Sequence, residues 1–376
     1  MNSAEKILII AGEASGDLHA AEVMAELKLR GSGIEFFGIG GDKMIDQGLN
    51  ALYHSNNMAF LGFTEVVKHL PFILKVKRAV LELVKAKNIK KALLVDYPGF
   101  NLNIAGSLKK LGVAVYYYIS PQIWAWRKGR IKKIHERVDM MMTVFPFEEK
   151  MYKDAGIHSE FVGHPLIEEI KSYSFIDKIE LYEKYGFDKN KELLLILPGS
   201  RKQEVERIFP AVSAGVLKLA DTFNFQPVVV CAPSLKDEFL QRIVKDSAFR
   251  IVRGDVYNFM KHAVLGIIKS GTSTLEAGLM GLPMIVVYKT SSITYLIGKN
   301  VIEIDNIGLV NIVLGKTAMP ELIQKQLNEK EIYKCGSRIM DTDVYKAMKS
   351  ELKSINALLG TKKASKRVAE LLMDAI

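Results

Sequence analysis

The chain has 376 residues, and its 52 Lys and Arg against 42 Asp and Glu give a formal net charge of +10. Hydrophobic residues make up 49% and charged residues 25%, proportions that exclude wholesale disorder, and the length favours two domains. The two cysteines, Cys231 and Cys335, form no CxxC pair, which argues against a disulfide framework or a cysteine zinc site and indicates a reducing compartment.

Short apolar runs alternate with longer helical patterns along the chain, which is typical of parallel α/β sheets. These runs are nearly continuous in apolar residues, as expected for strands that are covered on both faces. The runs that we predict to be strands are Ile7–Ala11, Phe36–Ile39, Ala92–Val95, Val115–Ile119, Met140–Phe145, Leu193–Leu197, Pro227–Cys231, Arg250–Val252, Gly266–Ile268 and Met284–Tyr288.

The order of these elements predicts two Rossmann-like, doubly wound domains, at residues 1–165 and 166–339. We expect the C-terminal helices, at about 340–376, to pack back on the first domain or on a partner subunit. Open sheets bind ligands at the carboxyl ends of their strands, so the active site is expected in the cleft between the two domains.

The first glycine turn, Gly12–Asp17, follows the first strand and precedes a helix. It is not GxGxxG, so a dinucleotide site is a weak interpretation. Ser15 or Asp17 could simply cap the helix, but a carboxylate at Glu13 has no capping duty there. We therefore predict a functional role for Glu13, with Ser15 as a candidate phosphate or sugar contact.

Asp96 directly follows a strand and precedes Tyr97, Pro98 and Gly99. A carboxylate at the end of a strand, next to a proline-glycine turn, has little freedom, as a general base requires. The alternative is a turn-forming Asp that bonds its own backbone. Because Pro98 and Gly99 are predicted to make the turn already, we favour the catalytic interpretation.

Both tryptophans of the chain lie in the loop 120–130, which also carries three cations. Trp124 could stack on a sugar or base and Arg127 could attract a phosphate. A packed loop followed by a solvated basic helix explains the same residues equally well.

Two further turns, in the second half, have the composition of anion sites. Arg201 ends the turn 197–201, where backbone N–H groups and a guanidinium could clamp a diphosphate. The second turn places small and hydroxyl residues at a helix start, with Glu276 one helical turn later as a possible acceptor from ribose hydroxyls; N-capping with an internal Glu is the alternative. The small residues of this turn are Gly271, Thr272, Ser273 and Thr274.

The segment 60–76 is apolar and is flanked by cations. Such a segment is typical of an interfacial element on an anionic membrane or of a site for acyl chains, although a buried helix explains it equally well. The residues of the candidate patch are Val66, Val67, Leu70, Phe72, Ile73 and Leu74.

Several common active-site patterns are missing from the sequence, among them GxxxxGK[ST], HExxH, GxSxG and a zinc-type Cys/His set. The single Asp-x-Asp, Asp341–Asp343, lies in a helical region where Asp is a natural N-cap, so we predict no metal site. The basic residues are dispersed apart from the stretch after Trp126, so a nucleic-acid or anionic-lipid binding module is a remote alternative and nucleic acid is not an expected partner.

Read in order, the motifs resemble the lipid-A-disaccharide synthase family, glycosyltransferase family 19. The resemblance spans nearly the whole chain and is carried by GEASGD (12–17), MAFLGFTEV (58–66), VDYPGFN (95–101), YISPQIWAW (118–126), FVGHPL (161–166), LPGSRKQEV (197–205), SGTSTLEA (270–277) and MPELIQ (319–324).

This resemblance implies a GT-B fold and an inverting transfer without cofactor or metal. The donor would be UDP-2,3-diacylglucosamine, the acceptor 2,3-diacylglucosamine 1-phosphate, and the products UDP and a β(1→6) disaccharide. Asp96 would be the base, with Glu13 orienting the sugar or acting as the alternative base. Another GT-B UDP-sugar transferase or a UDP-sugar epimerase is the nearest rival.

The resemblance also implies that Asn311, Glu321 and Gln324 lie near the donor, in a segment that the family exchanges between the subunits of a homodimer. Since both substrates carry acyl chains, it favours the membrane interpretation of the apolar patch. We therefore expect a cytoplasmic protein attached peripherally to the phospholipid surface at the inner face of the inner membrane.

Overall fold

The computed structural model describes residues 5–31, 33–58, 69–126, 128–291, 295, 305–360 and 362–374. The chain divides into two compact units. Unit 1 comprises Met1–Glu168 and Leu359–Ile376, and unit 2 comprises Glu169–Leu358.

Unit 1 is built on a parallel sheet whose central strands are almost completely buried. Within the described residues the sheet has seven strands: β1 (Lys6–Ala11), β2 (Glu35–Gly40), β3 (Leu49–His54), β4 (Lys91–Val95), β5 (Ala114–Tyr118), β6 (Met140–Thr143) and β7 (Ser159–Phe161). They lie in the order β3-β2-β1-β4-β5-β6-β7, so the direction of winding reverses between β1 and β4.

Helices connect these strands and cover the sheet. They are α1 (Ala14–Arg30), α2 (Asp42–Asp46), α3 (Leu70–Lys87), α4 (Pro98–Lys110), α5 (Ile123–Trp126), α6 (Ile131–Arg137), α7 (Pro146–Asp154) and α8 (Pro165–Ser172), with single 3-10 turns at Ser55–Asn57 and Lys128–Arg130. The chain passes from unit 1 to unit 2 inside α8.

Unit 2 repeats the architecture with a parallel sheet of six strands within the described residues. The strands are β8 (Glu192–Leu197), β9 (Phe225–Cys231), β10 (Arg250–Arg253), β11 (Leu265–Lys269), β12 (Met284–Tyr288) and β13 (Glu321–Ile323). Their order is β10-β9-β8-β11-β12-β13, which reverses the winding between β8 and β11.

The helices of unit 2 follow the same alternation with strands. They are α9 (Lys178–Tyr185), α10 (Lys202–Phe223), α11 (Asp237–Ile243), α12 (Val256–His262), α13 (Thr272–Leu279), α14 (Leu309–Leu314), α15 (Glu329–Ile339) and α16 (Thr342–Leu358), with a 3-10 turn at Gln324–Gln326. The predicted α/β class with two doubly wound parallel sheets is confirmed.

Each strand predicted from the sequence is present, and three strands were missed. β3 and β7 lie at the two edges of the unit 1 sheet and are partly exposed, so they lack the continuous apolar run of a central strand. After about residue 320 the sequence pattern predicts only helices, and this prediction is wrong, because β13 pairs with β12 through Glu321 and Val286.

The last helix, α17 (Ala364–Asp374), returns to unit 1 and packs on α1. Arg367 pairs with Glu160 at 2.6 Å, and Lys363 pairs with Glu26 at 2.8 Å. The preceding helix, α16, packs instead on α13 and α14 of unit 2. Within the described residues, no helix is long and apolar enough to cross a membrane.

The first glycine turn of unit 1 is tied to α2 by one buried carboxylate. Asp17 accepts hydrogen bonds from the backbone N–H groups of Gly41 at 2.6 Å, Lys43 at 3.2 Å and Met44 at 3.1 Å. These groups belong to the start of α2, where backbone donors have no partner within the helix. Asp17 therefore caps the neighbouring helix and not its own.

We expect Asp17→Ala to lower the free energy of unfolding by about 2 kcal/mol, because it leaves the buried donors of α2 without an acceptor. The measurement is the urea midpoint of the full chain. Asp46→Ala, at the exposed end of the same helix, is the control and is expected to change the free energy of unfolding by less than about 0.5 kcal/mol. Equal effects of the two substitutions would contradict the capping role.

Candidate functional site

The candidate base of unit 1 lies at the point where the sheet reverses its winding. β1 and β4 are neighbours with Ala11 opposite Val95, so the turns after these strands, which carry Glu13 and Asp96, start side by side. This is the position at which open α/β sheets bind their ligands.

Asp96 and Tyr97 both have the left-handed backbone conformation, with φ of 46° and 47°. Two hydrogen bonds converge on the carbonyl oxygen of Asp96, from the Tyr117 hydroxyl at 2.6 Å and from Nδ2 of Asn101 at 2.8 Å. Non-glycine residues adopt this conformation only where the surrounding structure imposes it.

The turn after β4 therefore differs from the prediction. Pro98 and Gly99 do not form it; they are the first residues of α4, where a proline lacks no needed donor. The turn consists of Asp96 and Tyr97 themselves. The strained pair, not a proline-glycine turn, limits the freedom of the carboxylate.

The two neighbouring turns pack closely against each other through Tyr97. A Cβ atom on Gly12 would lie 2.4 Å from the Tyr97 ring, so only glycine leaves room for the ring. The Tyr97 hydroxyl donates to the carbonyl oxygen of Met58 at 2.7 Å. The aromatic ring thus connects the turn of the candidate base with the turn that carries Glu13.

Burial, and after it the negative charge of Glu13, raise the pKa of Asp96 to about 6. The Tyr97 N–H and the nearby His19 act in the opposite direction. A carboxylate with this pKa is ionised at pH 7 and is still basic enough to accept a proton. Glu13 itself is exposed at the start of α1, where its side chain makes no capping hydrogen bond.

Two buried histidines near this site were not singled out from the sequence. Nδ1 of His19 makes no hydrogen bond within the described residues and lies 3.7 Å from the Glu22 carboxylate. Burial, together with the charge of His19, lowers the pKa of His164 to about 3, so His164 is neutral and accepts from the Leu166 N–H at 3.2 Å. His19 stands in no recognisable motif and only the fold brings it near Asp96, whereas His164 belongs to the FVGHPL motif and lies near His19.

Trp124 is half-buried and is held by a carboxylate inside unit 1. Its Nε1 donates to Glu148 at 2.9 Å, and its ring packs edge-on against Phe147 at 5.3 Å. Burial raises the pKa of Glu148 to about 7. These contacts favour the packed-loop interpretation of Trp124; its role as a ligand contact stays a prediction, and Arg127 lies outside the described residues.

Unit 2 has a cavity of 470 Å³ at its own winding reversal, where Leu197 of β8 lies opposite Ile268 of β11. The turns and helix starts after these two strands contribute to its wall, together with the end of β9 and the residues that follow β9 and β10. The cavity is lined by Leu197, Gly199, Ser200, Glu204, Val230, Cys231, Ala232, Pro233, Gly254, Val256, Lys269, Gly271, Thr272, Ser273 and Glu276.

Glu204 connects the two turns of this cavity. Its carboxylate accepts from the N–H groups of Ser200 at 3.1 Å and Arg201 at 3.3 Å, and it pairs with Lys269 at 3.0 Å. Burial would raise the pKa of Glu204, but the Lys269 ammonium and these hydrogen bonds hold it below its ordinary value. Gly199, with φ of 125°, has no room for a Cβ beside this carboxylate.

The contacts of Glu204 change the expected composition of the diphosphate clamp. The N–H groups of Ser200 and Arg201, predicted to be available to a phosphate, already donate to a carboxylate. The cationic groups at this turn are the Arg201 guanidinium, which is 68% exposed, and Lys269. Sequence reasoning missed Lys269, although its place at the end of β11 was a usable signal.

The start of α13 is the second turn for which the sequence predicts an anion site, and that role stays a prediction. Gly271 is its N-cap, and no side chain caps it within the described residues, so N-capping by Thr272 or Ser273 is not observed. The Thr274 hydroxyl instead donates to the carbonyl oxygen of Gly271 at 2.8 Å. The first N–H groups of a helix in this state are suited to bind an anion.

Glu276 lies on α13 and lines the same cavity. Burial raises its pKa to about 7, and the nearby Glu169 contributes, while a hydrogen bond from Ser273 lowers it. Glu169 in turn accepts from the Tyr257 hydroxyl at 2.9 Å. A carboxylate in this balance gains from hydroxyl donors, because they stabilise its ionised form.

Asn311 and Glu321 form a buried network next to α14. Both groups of the Asn311 amide are engaged: its oxygen accepts from Ala318 and Met319, and Nδ2 donates to Met319 at 2.7 Å and to Glu321 at 2.8 Å. Glu321 also accepts from the N–H groups of Ile307 at 2.8 Å and Gly308 at 3.0 Å. The network fixes the start of α14, and the proximity of both residues to the donor stays a prediction.

Gln324, the third residue of that set, has a left-handed backbone with φ of 54°. Its side-chain oxygen accepts from the Thr290 N–H at 3.1 Å.

Asp341 accepts from the N–H groups of Asp343 and Val344, so it caps α16 as expected. Among the described residues, no cluster of three or more His, Cys, Asp or Glu side chains could hold a metal ion.

The fold is shared with several solved structures, among them a UDP complex, a UDP-GlcNAc 2-epimerase and a glycosyltransferase. A Staphylococcus aureus MnaA–UDP complex matches with a TM-score of 0.68 at 14% identity, covering 99% of this chain and 98% of that one. A Neisseria meningitidis UDP-GlcNAc 2-epimerase bound to UDP-GlcNAc matches with a TM-score of 0.65 at 14% identity, covering 98% of this chain and 100% of that one. A Rickettsia africae glycosyltransferase matches with a TM-score of 0.57 at 14% identity, covering 99% of this chain and 98% of that one. The predicted GT-B fold is confirmed.

Among proteins with the GT-B fold, sequence comparison identifies one family for this chain. A profile of the lipid-A-disaccharide synthetase family matches residues 7–375. The lipid-A-disaccharide synthase of Syntrophus aciditrophicus is 40% identical over 100% of this chain and 99% of its own length, and that of Geobacter sulfurreducens is 36% identical over 100% and 98%. The chain belongs to the lipid-A-disaccharide synthase family and is a glycosyltransferase of lipid A biosynthesis.

We expect Asn311→Ala to lower the free energy of unfolding by about 3 kcal/mol, because it leaves several buried polar groups without partners. Urea denaturation of the full chain measures it. Asn306→Ala is the matched control, since that side chain accepts an exposed hydrogen bond from Thr317, and its effect is expected to stay within about 0.5 kcal/mol. A smaller loss for Asn311→Ala than for the control would contradict the structural role of the amide.

Proposed function

We propose that this chain transfers the diacylglucosamine group of UDP-2,3-diacylglucosamine to the 6′-hydroxyl of 2,3-diacylglucosamine 1-phosphate. The products are UDP and the β(1→6) disaccharide 1-phosphate, with inversion at the anomeric carbon. The observation that carries the proposal is Asp96, a half-buried carboxylate with a pKa of about 6 on a strained turn at the winding reversal of unit 1. Membership of the family supports the choice of substrates.

The proposed reaction is a single displacement. The acceptor oxygen forms a bond to the anomeric carbon, the bond from that carbon to the UDP oxygen breaks, and Asp96 accepts the hydroxyl proton. Inversion follows from attack on the face opposite the leaving group. Glu13 orients the sugar, and it is the alternative base because it is the second carboxylate at the same pair of turns.

The donor site is proposed in the cavity of unit 2. Arg201 and the start of α13, Gly271–Thr274, would stabilise the negative charge that develops on UDP, and Glu276 would accept from the ribose hydroxyls. Two solved neighbours are complexes with UDP and with UDP-GlcNAc, which supports a UDP-sugar donor for a chain of this fold. Asn311, Glu321 and Gln324 would act behind this site by fixing the segment around α14.

The test is UDP release from UDP-2,3-diacylglucosamine in the presence of EDTA, with and without the acceptor. We expect release that depends on the acceptor and is insensitive to EDTA. Release from UDP-N-acetylglucosamine without any lipid acceptor would favour the rival epimerase. A complete lack of acceptor-dependent release would refute the proposed substrates.

Asp96→Asn is expected to lower kcat by about 10²–10⁴-fold with little change in either KM, because the amide cannot accept the proton.

In the wild-type enzyme, kcat/KM should fall about tenfold per pH unit below pH 6, where Asp96 becomes protonated, and should be level above it. Glu13→Gln is the comparison variant. If it removes the acid limb and Asp96→Asn does not, the base is Glu13.

We also propose that the protein is cytoplasmic and attaches reversibly to the inner membrane through the start of α3. Leu70 is 49% and Leu74 57% exposed, one helical turn apart on α3. Phe72 and Ile73 are half-buried and pack against the core of unit 1, so the exposed face is narrower than the candidate patch. Val66 and Val67 lie outside the described residues.

A homodimer with C-terminal exchange rests on the family resemblance and stays a proposal.

The double variant Leu70→Ser, Leu74→Ser is expected to weaken sedimentation with vesicles of phosphatidylglycerol and phosphatidylethanolamine, since two exposed apolar side chains are removed. The matched control is Leu29→Ser, Ile179→Ser, because these leucine and isoleucine side chains are 81% and 62% exposed elsewhere on the chain. Unchanged vesicle binding of the α3 variant, or an equal loss in the control, would remove α3 from the proposed membrane contact.

A further inference from the structure

Unit 1 carries a basic groove that has no part in the mechanism above. Two adjoining cavities, of 500 Å³ and 180 Å³, lie along α4 and share Asn103 and Arg137 in their walls. We call them together the basic groove, and its cationic side chains are Lys77, Lys109, Lys110, Arg130, Lys133 and Arg137.

Positive charge in this groove exceeds the negative charge that faces it. Lys109 pairs with Asp139, and Glu136 lines the larger cavity. Burial lowers the pKa of Lys77, and the positive charges of Arg137 and Lys110 lower it further, so these three cations lie close together. The groove therefore offers a favourable position to an anionic group.

Two of these cations, Lys77 and Arg137, are held in place by contacts within unit 1. Nζ of Lys77 donates to Asn103 at 2.7 Å, and Nη1 of Arg137 donates to the Leu102 carbonyl oxygen at 2.9 Å. A Cβ atom on Gly106 would approach Nε of Arg137 to 3.2 Å, so the glycine leaves room for the guanidinium. A guanidinium has five N–H donors and suits a phosphate, which accepts two of them side by side.

The smaller cavity lies beside the first turn of α4, the helix that follows the candidate base. Pro98 and Gly99, which line it, follow Asp96 by two and three residues. Asn103 lies four residues further along α4, a rise of about 6 Å. The rise from Gly99 to Asn103 is thus similar to the width of one hexose ring. In the acceptor, one hexose ring separates the 6-hydroxyl from the 1-phosphate.

We propose that the basic groove binds the phosphate group of the acceptor lipid, with Lys133, Arg137 and Arg130 around the phosphate. The inference rests on the proposed function, because it assigns a place to the charged end of the proposed acceptor. The phosphate of a membrane phospholipid has the same chemistry, so the experiment separates the two sources.

The test compares Lys133→Gln with Lys132→Gln. Both lysines are exposed neighbours on α6, but only Lys133 lines the groove. We expect Lys133→Gln to raise the KM for 2,3-diacylglucosamine 1-phosphate about tenfold, with kcat and the donor KM unchanged, since a hydrogen bond to a charged group is lost. The KM for the same lipid without its phosphate should not change, and Lys132→Gln should match the wild-type enzyme.

Three results would overturn the proposal. An equal KM increase for the acceptor with and without phosphate would show that Lys133 does not sense the phosphate. An equal effect of Lys132→Gln would show that the KM responds to the net charge of the protein and not to a contact in the groove. Weaker binding to phosphatidylglycerol vesicles without any change in acceptor KM would assign the groove to membrane phospholipid.

A direct titration keeps this inference separate from the proposed function. Isothermal calorimetry of the full wild-type chain should detect glucosamine 1-phosphate but not glucosamine, with about tenfold weaker binding in Lys133→Gln. If this pattern holds and no UDP release is observed, the groove is a sugar-phosphate site and the proposed function fails. If the wild-type chain does not bind glucosamine 1-phosphate, the groove proposal is overturned whatever the activity.

Discussion

The carbonyl oxygen of Asp96 is the point on which the candidate site of unit 1 depends. It accepts two hydrogen bonds, from Tyr117 on β5 and from Asn101 on α4, and these hold two successive residues in the left-handed conformation. Because the strain lies in the backbone of the candidate base, the side chain has little freedom left. Gly12 then has to be glycine, since the ring of Tyr97 occupies the space beside it.

Unit 2 arranges its site with carboxylates that bind protein groups. Glu204 joins the two turns of the cavity through Lys269 and two N–H groups, and Glu321 fixes the start of α14. Each offsets its own burial by accepting several hydrogen bonds. As a result, the turns around the cavity of this unit are fixed by carboxylates whose partners are groups of the protein itself.

Much of the fold could be predicted from the sequence, because central parallel strands are continuous apolar runs. The missed strands have other patterns: most of β3 is exposed or half-buried at a sheet edge, and β13 has three residues after a proline. For the site, the turns were predictable but their internal bonding was not. Nothing in the spacing of Ser200 and Glu204 reveals that the carboxylate occupies the turn's N–H groups, and His19 and Asp96 approach each other only in the folded chain.

The return of α17 to unit 1 has a consequence for the order in which the protein is made. Unit 2 is one uninterrupted stretch, whereas unit 1 consists of the beginning and the end of the chain. The salt bridges of Arg367 with Glu160 and of Lys363 with Glu26 form only after translation has reached the last helix. During synthesis, unit 2 can therefore be complete while unit 1 still exposes the face of α1 that α17 covers, which reverses the usual order from N-terminus to C-terminus.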